Sequence, residues 1–423
     1  MPTFAPSAVV PQLVATSALT QLNRQAVFAR AAVGDYEPVA LQKGDTVTVR
    51  RARLISAQDY DPRSGTPATQ TEPGYFSAQL ALERLWTNGF PVYGNDNNDS
   101  ISRYVPEYGE QIGAAIALSN DDYHYSKFRT LAIASSGAVA YGAQPPVAIV
   151  ASQSAGAFTD FNKSVLINAT VVLQNNNVPA NNRYAILSSA AGGSFLGDSV
   201  LTEGFVAASV GSGQQLISGI APGMFVPRYG FNVSSSNAVG SQSGATTTTS
   251  ISSATASTAF TVADYAATTY LGAVDVTIGS VIAGTAVGAI AKLAPASGDT
   301  IAYGLILRVA GSVVTLVPFS PKGLKLVATD IVAGTHLFSI PTIPSISVAY
   351  HREALLFAVR DLAKPSDGSG ATMFKQSDPI SGLSVQVLTG QYKIDQFQES
   401  QRYAMLTGAL LSDHRKAVLM LSL

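Results

Sequence analysis

From Gly230 to Ala263 the chain carries no charged residue, and from Ser234 to Thr258 it is nearly all serine, threonine, alanine and glycine. Such a run has too few large apolar side chains to found a core, so it reads as a boundary between folded parts. At 423 residues the chain also exceeds what one core usually supports, and two or three subdomains sharing one body are expected. The shortage of charge is general: 13% of residues are charged and 47% hydrophobic, whereas a free soluble domain carries about 25% charged residues. Much of the surface is therefore expected to be covered by neighbours.

No apolar run approaches the roughly 18 residues of a membrane span. The longest candidates, such as Val274 to Ile290, are interrupted by Gly, Thr and Asp, and no membrane association is expected. Met1 to Leu13 lacks a basic residue and is broken by Pro2, Pro6 and Pro11, unlike a secretory signal. Without cysteine there is neither a disulfide framework nor a thiolate metal site. Net charge is −1 and the lysines and arginines are scattered, so any contact with nucleic acid is expected to be weak and non-specific.

Along the chain, Pro2 to Ala32 reads as an arm with one helical stretch from Leu19 to Arg30, on the spacing of Leu19, Leu22 and Ala26. Gly34 to Val39 reads as a turn. Thr46 to Arg50 alternates as a strand with Val47 and Val49 on one face. A second alternating strand, Tyr75 to Trp86, sets Phe76, Ala78, Leu80 and Leu82 against Ser77, Gln79, Ala81 and Glu83, and the two make a long hairpin. Its tip, Ser56 to Pro73, is too polar and too rich in turn formers to be core; it is either a solvated surface loop or an arm lying on something outside the subunit.

A helix is expected from Ser100 to Ser135, capped by Asp99 or Ser100, with Pro106 in its first turn and Val105, Ile112, Ile116, Tyr123 and Leu131 to Ile133 at helical intervals. At that length it would exceed about 40 Å and form a spine. A second helix is expected from Ala157 to Gln174, then a buried strand from Arg183 to Ser188. Beyond the uncharged run, Asp264 to Ser345 holds short β-rich runs (Val274 to Ile282, Ile301 to Val309, Val313 to Val317) that suggest a small antiparallel barrel or sandwich, read as an insertion. Ile346 to Ala363 and Leu383 to Gln391 read as longer alternating strands, and Gln401 to Leu423 as an inert tail.

No catalytic constellation emerges. His124, His336, His351 and His414 lie far apart with no zinc-binding spacing, and no cofactor or metal is expected. Strand alternation would place His351 and Glu353 on one face and Arg352 on the other, a structural pair. Gly211-Ser212-Gly213 lacks a phosphate-binding lysine and reads as a turn. Asn95 to Asp99 lacks the glycine and terminal glutamate of a calcium loop and reads as a helix cap. The chain is not expected to be an enzyme.

Four stretches, in order, resemble the HK97-like major capsid proteins of tailed bacteriophages, in the subgroup with an inserted β-domain. Gly44 to Val49 with Phe76 to Leu80 looks like the strands of that family's extended loop. Asn177-Val178-Pro179-Ala180-Asn181-Asn182-Arg183-Tyr184-Ala185-Ile186-Leu187-Ser188 resembles its helix-to-strand turn. Pro227-Arg228-Tyr229-Gly230-Phe231-Asn232-Val233 with Asn237 is similar to the segment before the insertion, with Pro227 in place of the family's glycine. Val348 to Ala358 resembles the strand where the chain rejoins the shared fold, and Gly390 to Tyr403 with Arg402 the closing strand.

The resemblance implies an α+β HK97-like capsid fold with six parts: an N-terminal arm (1–43), an extended-loop hairpin (44–94), a spine helix and P-domain (95–150), a first A-domain part (151–239), an inserted β-domain with its linker (240–345) and the returning A- and P-domain strands (346–423). It implies self-assembly into the hexamers and pentamers of an icosahedral shell around double-stranded DNA, in the virion, after synthesis in the bacterial cytoplasm. Implied partners are a portal protein, a separate scaffolding protein and a possible decoration protein. Arg50, Arg51, Arg53, Asp59, Asp61, Arg63 and Glu72 mix both signs within the hairpin, which suits salt bridges to neighbouring subunits or a solvated loop face. Lys43 is the only lysine before Lys127, so non-covalent locking is expected. A cellular encapsulin-like shell and a β-rich surface adhesin are the alternatives.

Overall fold

The computed structural model describes residues 6–34, 46–52, 75–93, 108–129, 147–154, 157–197, 225–245, 247–257, 273–295, 302–362, 372–378, 383–390 and 398–423. In chain order come α1 (Pro6–Gln25), α2 (Val27–Arg30), β1 (Thr46–Ala52), β2 (Tyr75–Ala81), β3 (Arg84–Tyr93) and α3 (Glu110–Arg129). Next are β4 (Ala148–Ala151), the short pair β5 (Gln153–Ser154) and β6 (Ala157–Phe158), α4 (Lys163–Asn175), β7 (Arg183–Leu187), α5 (Ser189–Leu196), β8 (Val226–Arg228) and β9 (Phe231–Ser235). The strands β10 (Thr248–Ala256), β11 (Val274–Ile278), β12 (Ile290–Pro295), β13 (Ala302–Ala310), β14 (Val313–Phe319) and β15 (His336–Ser339) follow. The chain closes with β16 (Ser345–His351), β17 (Leu355–Arg360), β18 (Thr372–Ser377), β19 (Ser384–Thr389), β20 (Gln398–Leu411) and β21 (Ala417–Ser422).

The N-terminal segment is helical from Pro6, well before the expected Leu19, with a break at Ala26, and it is folded onto the body. Pro6 is the first residue of α1, where its missing N–H costs nothing. Val14, Ala18 and Leu22 of α1 are fully buried. The helix crosses α3 so closely that a Cβ on Gly113 would run into the backbone carbonyl of Ala18. The described part of the spine is the twenty residues of α3, about 30 Å long; Val105 and the 131–133 run lie outside the described residues. Ile112, Ile116 and Tyr123 are buried as their spacing predicts.

One six-stranded sheet runs β4-β21-β16-β7-β9-β8, with β21/β4 and β7/β9 parallel and the rest antiparallel. Every residue of β16 and β21 is buried, so these strands show no apolar alternation. One face carries α4, through Val165, Leu166, Ala169, Val172 and Leu173. Against the other, Tyr350 stacks on Phe28 at 6.3 Å and lies 5.0 Å from Phe128. The tail expected from 401 onward is thus core: β21 lies between β4 and β16. Helix α4 starts at Lys163, not Ala157, because the Asn162 side chain caps it by accepting the Ser164 N–H at 3.0 Å; residues 157–158 pair with β5 instead.

A second sheet runs β17-β20-β19-β18, with β3 paired along β20 from Gln398↔Tyr93 to Thr407↔Arg84. The single long strand expected over 346–363 is two strands, because a 3₁₀ turn at Arg352–Ala354 carries the chain from β16 in the first sheet to β17 in the second.

Strands β10-β11-β14-β13-β12-β15 close into a barrel between β9 and β16. Its first strand comes from the uncharged run: Thr249 and Ile251 turn inward while Thr248, Ser250 and Ser252 face out. Ile251, Val276, Leu293, Ile306, Leu316 and Phe338 fill the interior. Gln242 fixes the barrel to the body. Its side chain donates to the carbonyls of Ile290 (2.8 Å) and Pro341 (3.1 Å) and accepts the Ile290 N–H (2.8 Å), while its backbone bridges to Ile343. Arg129, at the end of α3, donates to Gln242 Oε1 at 3.4 Å and to the Gly288 carbonyl at 3.3 Å.

Candidate functional site

Strands β1 and β2 pair from Thr46↔Ala81 to Ala52↔Tyr75. Their root is seated on the second sheet: Val49, Leu80 and Leu82 pack with Leu356, Ala358 and Leu406. Gly408 permits this, since a Cβ there would strike the carbonyl of Ala81. Burial of these aliphatic side chains contributes roughly 1.5–3 kcal/mol each. Of the predicted interface residues, Arg50 and Arg51 lie on β1, across from Ser77 and Phe76. Arg53, Asp59, Asp61, Arg63 and Glu72 lie outside the described residues, beyond the Ala52/Tyr75 end.

A polar clamp ties the hairpin root to α3. Glu83 interrupts the chain between β2 and β3, and its carboxylate accepts Tyr123 Oη–H and Lys127 Nζ–H, each at 3.2 Å. Lys127 also lies 4.6 Å over the Tyr123 ring. Burial, reinforced by Glu83, pushes the Tyr123 phenol up to about 12. The hydroxyl therefore stays protonated and keeps its role as donor.

Sequence reasoning missed Asp121. It is 1% exposed, and its carboxylate accepts the backbone N–H of Val27 (3.0 Å), that of Phe28 (3.2 Å) and the Ser236 hydroxyl (3.1 Å). One side chain of α3 thus holds the start of α2 and the segment leading to the barrel. Burial pushes its pKa up to about 7, against the lowering effect of those hydrogen bonds.

The histidines are structural. His124 is fully buried, with Nδ1 2.6 Å from the Asn120 carbonyl, and burial lowers its pKa to about 4. His351 and Glu353 do adjoin, at 3.7 Å, but through the 3₁₀ turn rather than strand alternation, and Glu353 pairs more closely with Lys416, at 2.6 Å. Burial lowers the His351 pKa, so that contact joins a neutral ring to a carboxylate near neutral pH. Arg352 donates to the Ala32 carbonyl at 3.0 Å. Among the described residues no group of three metal-ligating side chains converges, and no helix is long and apolar enough to cross a membrane. Gly211 to Gly213 and Asn95 to Asp99 lie outside the described residues.

The stretch from just before the hairpin to just after α5 has a known counterpart: residues 38–203 match the model of a family described as phage capsid protein. The matched segment includes the hairpin, its Glu83 clamp, α3 with Asp121, α4 and β7. The chain is also similar to a solved structure from Mycobacterium phage Che8, with 12% identity over 94% of this chain and 91% of that one at a TM-score of 0.44. A capsid structure of the cyanophage P-SCSP1u shares 10% identity over 95% and 89% of the two chains, at a TM-score of 0.45. A virus-like particle from Pyrococcus furiosus shares 8% over 97% and 98%, at 0.40. These likenesses are distant and concern the overall course of the chain alone. No curated protein matches the chain.

Proposed function

We propose that the chain is the major capsid protein of a tailed phage, a structural subunit that assembles through copies of itself into an icosahedral head around double-stranded DNA. The observation that carries this reading is the capsid-family match over residues 38–203, the part of the chain that holds the hairpin and the helix clamped to it. The low share of charged residues, 13%, suits a subunit whose surface is mostly covered by neighbours. A shell subunit needs contacts of roughly 800 Å² per partner at each interface, with charges that set register more than affinity. In this reading the hairpin supplies them: Arg50 and Arg51 on β1, with Arg53, Asp59, Asp61, Arg63 and Glu72 further along, form salt bridges with neighbouring copies. Assembly in the host cytoplasm would enlist a separate scaffolding protein and a portal, with a decoration protein as an optional partner.

Deleting residues 57–71 tests the reading. The expected outcome is a subunit that folds, because the deleted residues lie beyond the seated root of the hairpin, but forms no stable closed particles by electron microscopy. Wild-type particle stability in the deletion would remove the hairpin from the interface. Full-length protein that remains monomeric with and without a scaffolding partner would overturn the shell reading itself.

A further inference from the structure

Between the turn at residues 180–182 and the β8–β9 hairpin lies an open cavity of about 460 Å³ whose walls include Asn181, Asn182, Arg183, Arg228, Tyr229 and Asn232. Two guanidinium groups and three side-chain amides line it, and among the described residues no acidic one does. Arg183 is 2% exposed and spends two of its N–H groups on the carbonyls of Pro179 (2.7 Å) and Val178 (2.5 Å). Among the described residues no carboxylate pairs with it, so its charge is held in the wall with only backbone dipoles to offset it. The cavity is also shaped by backbone that side chains rarely adopt: Asn182, Tyr229 and Gly230 have φ of 53°, 47° and 83°. Tyr229 and Gly230 are the two turn residues between the paired Arg228 and Phe231, where a two-residue hairpin takes positive φ at both positions.

We propose that this cavity receives a carboxylate side chain from a second copy of the chain, seated between Arg228 and the amides of Asn181, Asn182 and Asn232. This rests on the shell reading, which brings copies into contact. The chemistry fits a single acid: guanidinium and amide N–H groups are the donors a carboxylate takes. Copies can supply one, since the chain has 27 acidic residues against 26 basic. A nucleic-acid strand suits the site poorly, because tracking phosphates takes a row of cations, and the cavity holds two, each of which also donates to a backbone carbonyl.

The test compares wild type with Arg228→Glu and Arg228→Lys, and follows phenylglyoxal modification of Arg228 in dissociated subunits and in assembled particles. Expected are a wild-type unfolding midpoint for each variant, at least about tenfold fewer closed particles for Arg228→Glu, a smaller loss for Arg228→Lys, and protection of Arg228 on assembly. Wild-type particle yield from Arg228→Glu, or equal modification in both states, overturns the proposal. Normal Arg228→Glu particles that retain less DNA would assign the cavity to phosphate and overturn it too. If Arg228→Glu does not fold, protection in the wild type decides. Wild-type protein that never forms particles would sink the shell reading first, and the neighbouring-copy occupant with it.

Discussion

The Asp121 carboxylate closes the start of α2 from inside the core by accepting the Val27 N–H at 3.0 Å. Because burial raises its pKa from 3.8 to about 7, the folded chain binds this proton more tightly than the unfolded chain does. The associated stability is complete below pH 4 and is lost as pH rises through about 7, a contribution on the order of 4 kcal/mol. Asp121→Asn should flatten that dependence while keeping an acceptor. Asp121→Ala should destabilise at every pH, since two buried N–H groups lose their partner at about 1–3 kcal/mol each. Urea unfolding of the three proteins at pH 5 and pH 8 checks both statements.

His124 acts with the opposite sign. Its pKa falls from 6.5 to about 4 on burial, so its contribution is present above pH 6.5 and is lost as pH drops toward 4, by roughly 3 kcal/mol in full. Its Nε2 is buried without a hydrogen-bond partner in the structure, and its ring lies 5.4 Å from that of Phe357. His124→Phe should therefore unfold less readily than wild type at pH 5 and show little difference at pH 7.5. A variant that loses stability equally at both values would contradict the pKa assignment.

Gly113→Ala places a methyl group against the backbone of Ala18, which cannot turn aside as a side chain can. Separation of α1 from α3 should follow, at a cost of about 1–3 kcal/mol. Hydrogen exchange should report it as loss of protection in α1, with the six-stranded sheet unaffected.

Gln242→Leu removes the side-chain bonds that join the barrel to its connecting strands. The barrel's own ladder is left intact, so near-native unfolding of its core is expected together with faster exchange at the Ile290 amide and faster proteolysis around residues 243–247. Unchanged exchange at Ile290 would mean that the junction is held elsewhere, for instance by the Tyr303 hydroxyl on Gln153 at 2.8 Å.

What could be read in the sequence was local. The alternation around Val47, Val49 and Leu80 gave the right strands because one face of each is buried at the hairpin root. The Arg183 strand was legible for the same kind of reason. The pairing of β3 with β20 joins residues some three hundred positions apart, and no periodicity carries that information. The part of α1 before Leu19 was hidden by Pro6 and Pro11, which argue against a helix unless one of them opens it. Asp121 left one trace: it continues the buried stripe of Ala117 and Phe128 on α3, a carboxylate where an apolar residue belongs. Reading that misfit as a cap for another segment required knowing that α2 lay beside it. The hairpin charges were legible as composition alone.

The closure of the barrel bears on how many such chains can be crowded together without error. Strand β10 is a row of Ser, Thr and Ala with no charge to repel a foreign strand, and as an open edge it would template pairing between molecules. It pairs with β15 over Thr248–Ser250 and with β11 over Ile251–Ala256, so each stretch of the strand has a ladder partner within the molecule. A strand engaged in this way is less open to a foreign strand than a free edge would be, which lowers the risk of sheet-to-sheet pairing for a sequence this poor in electrostatic repulsion at high local concentration.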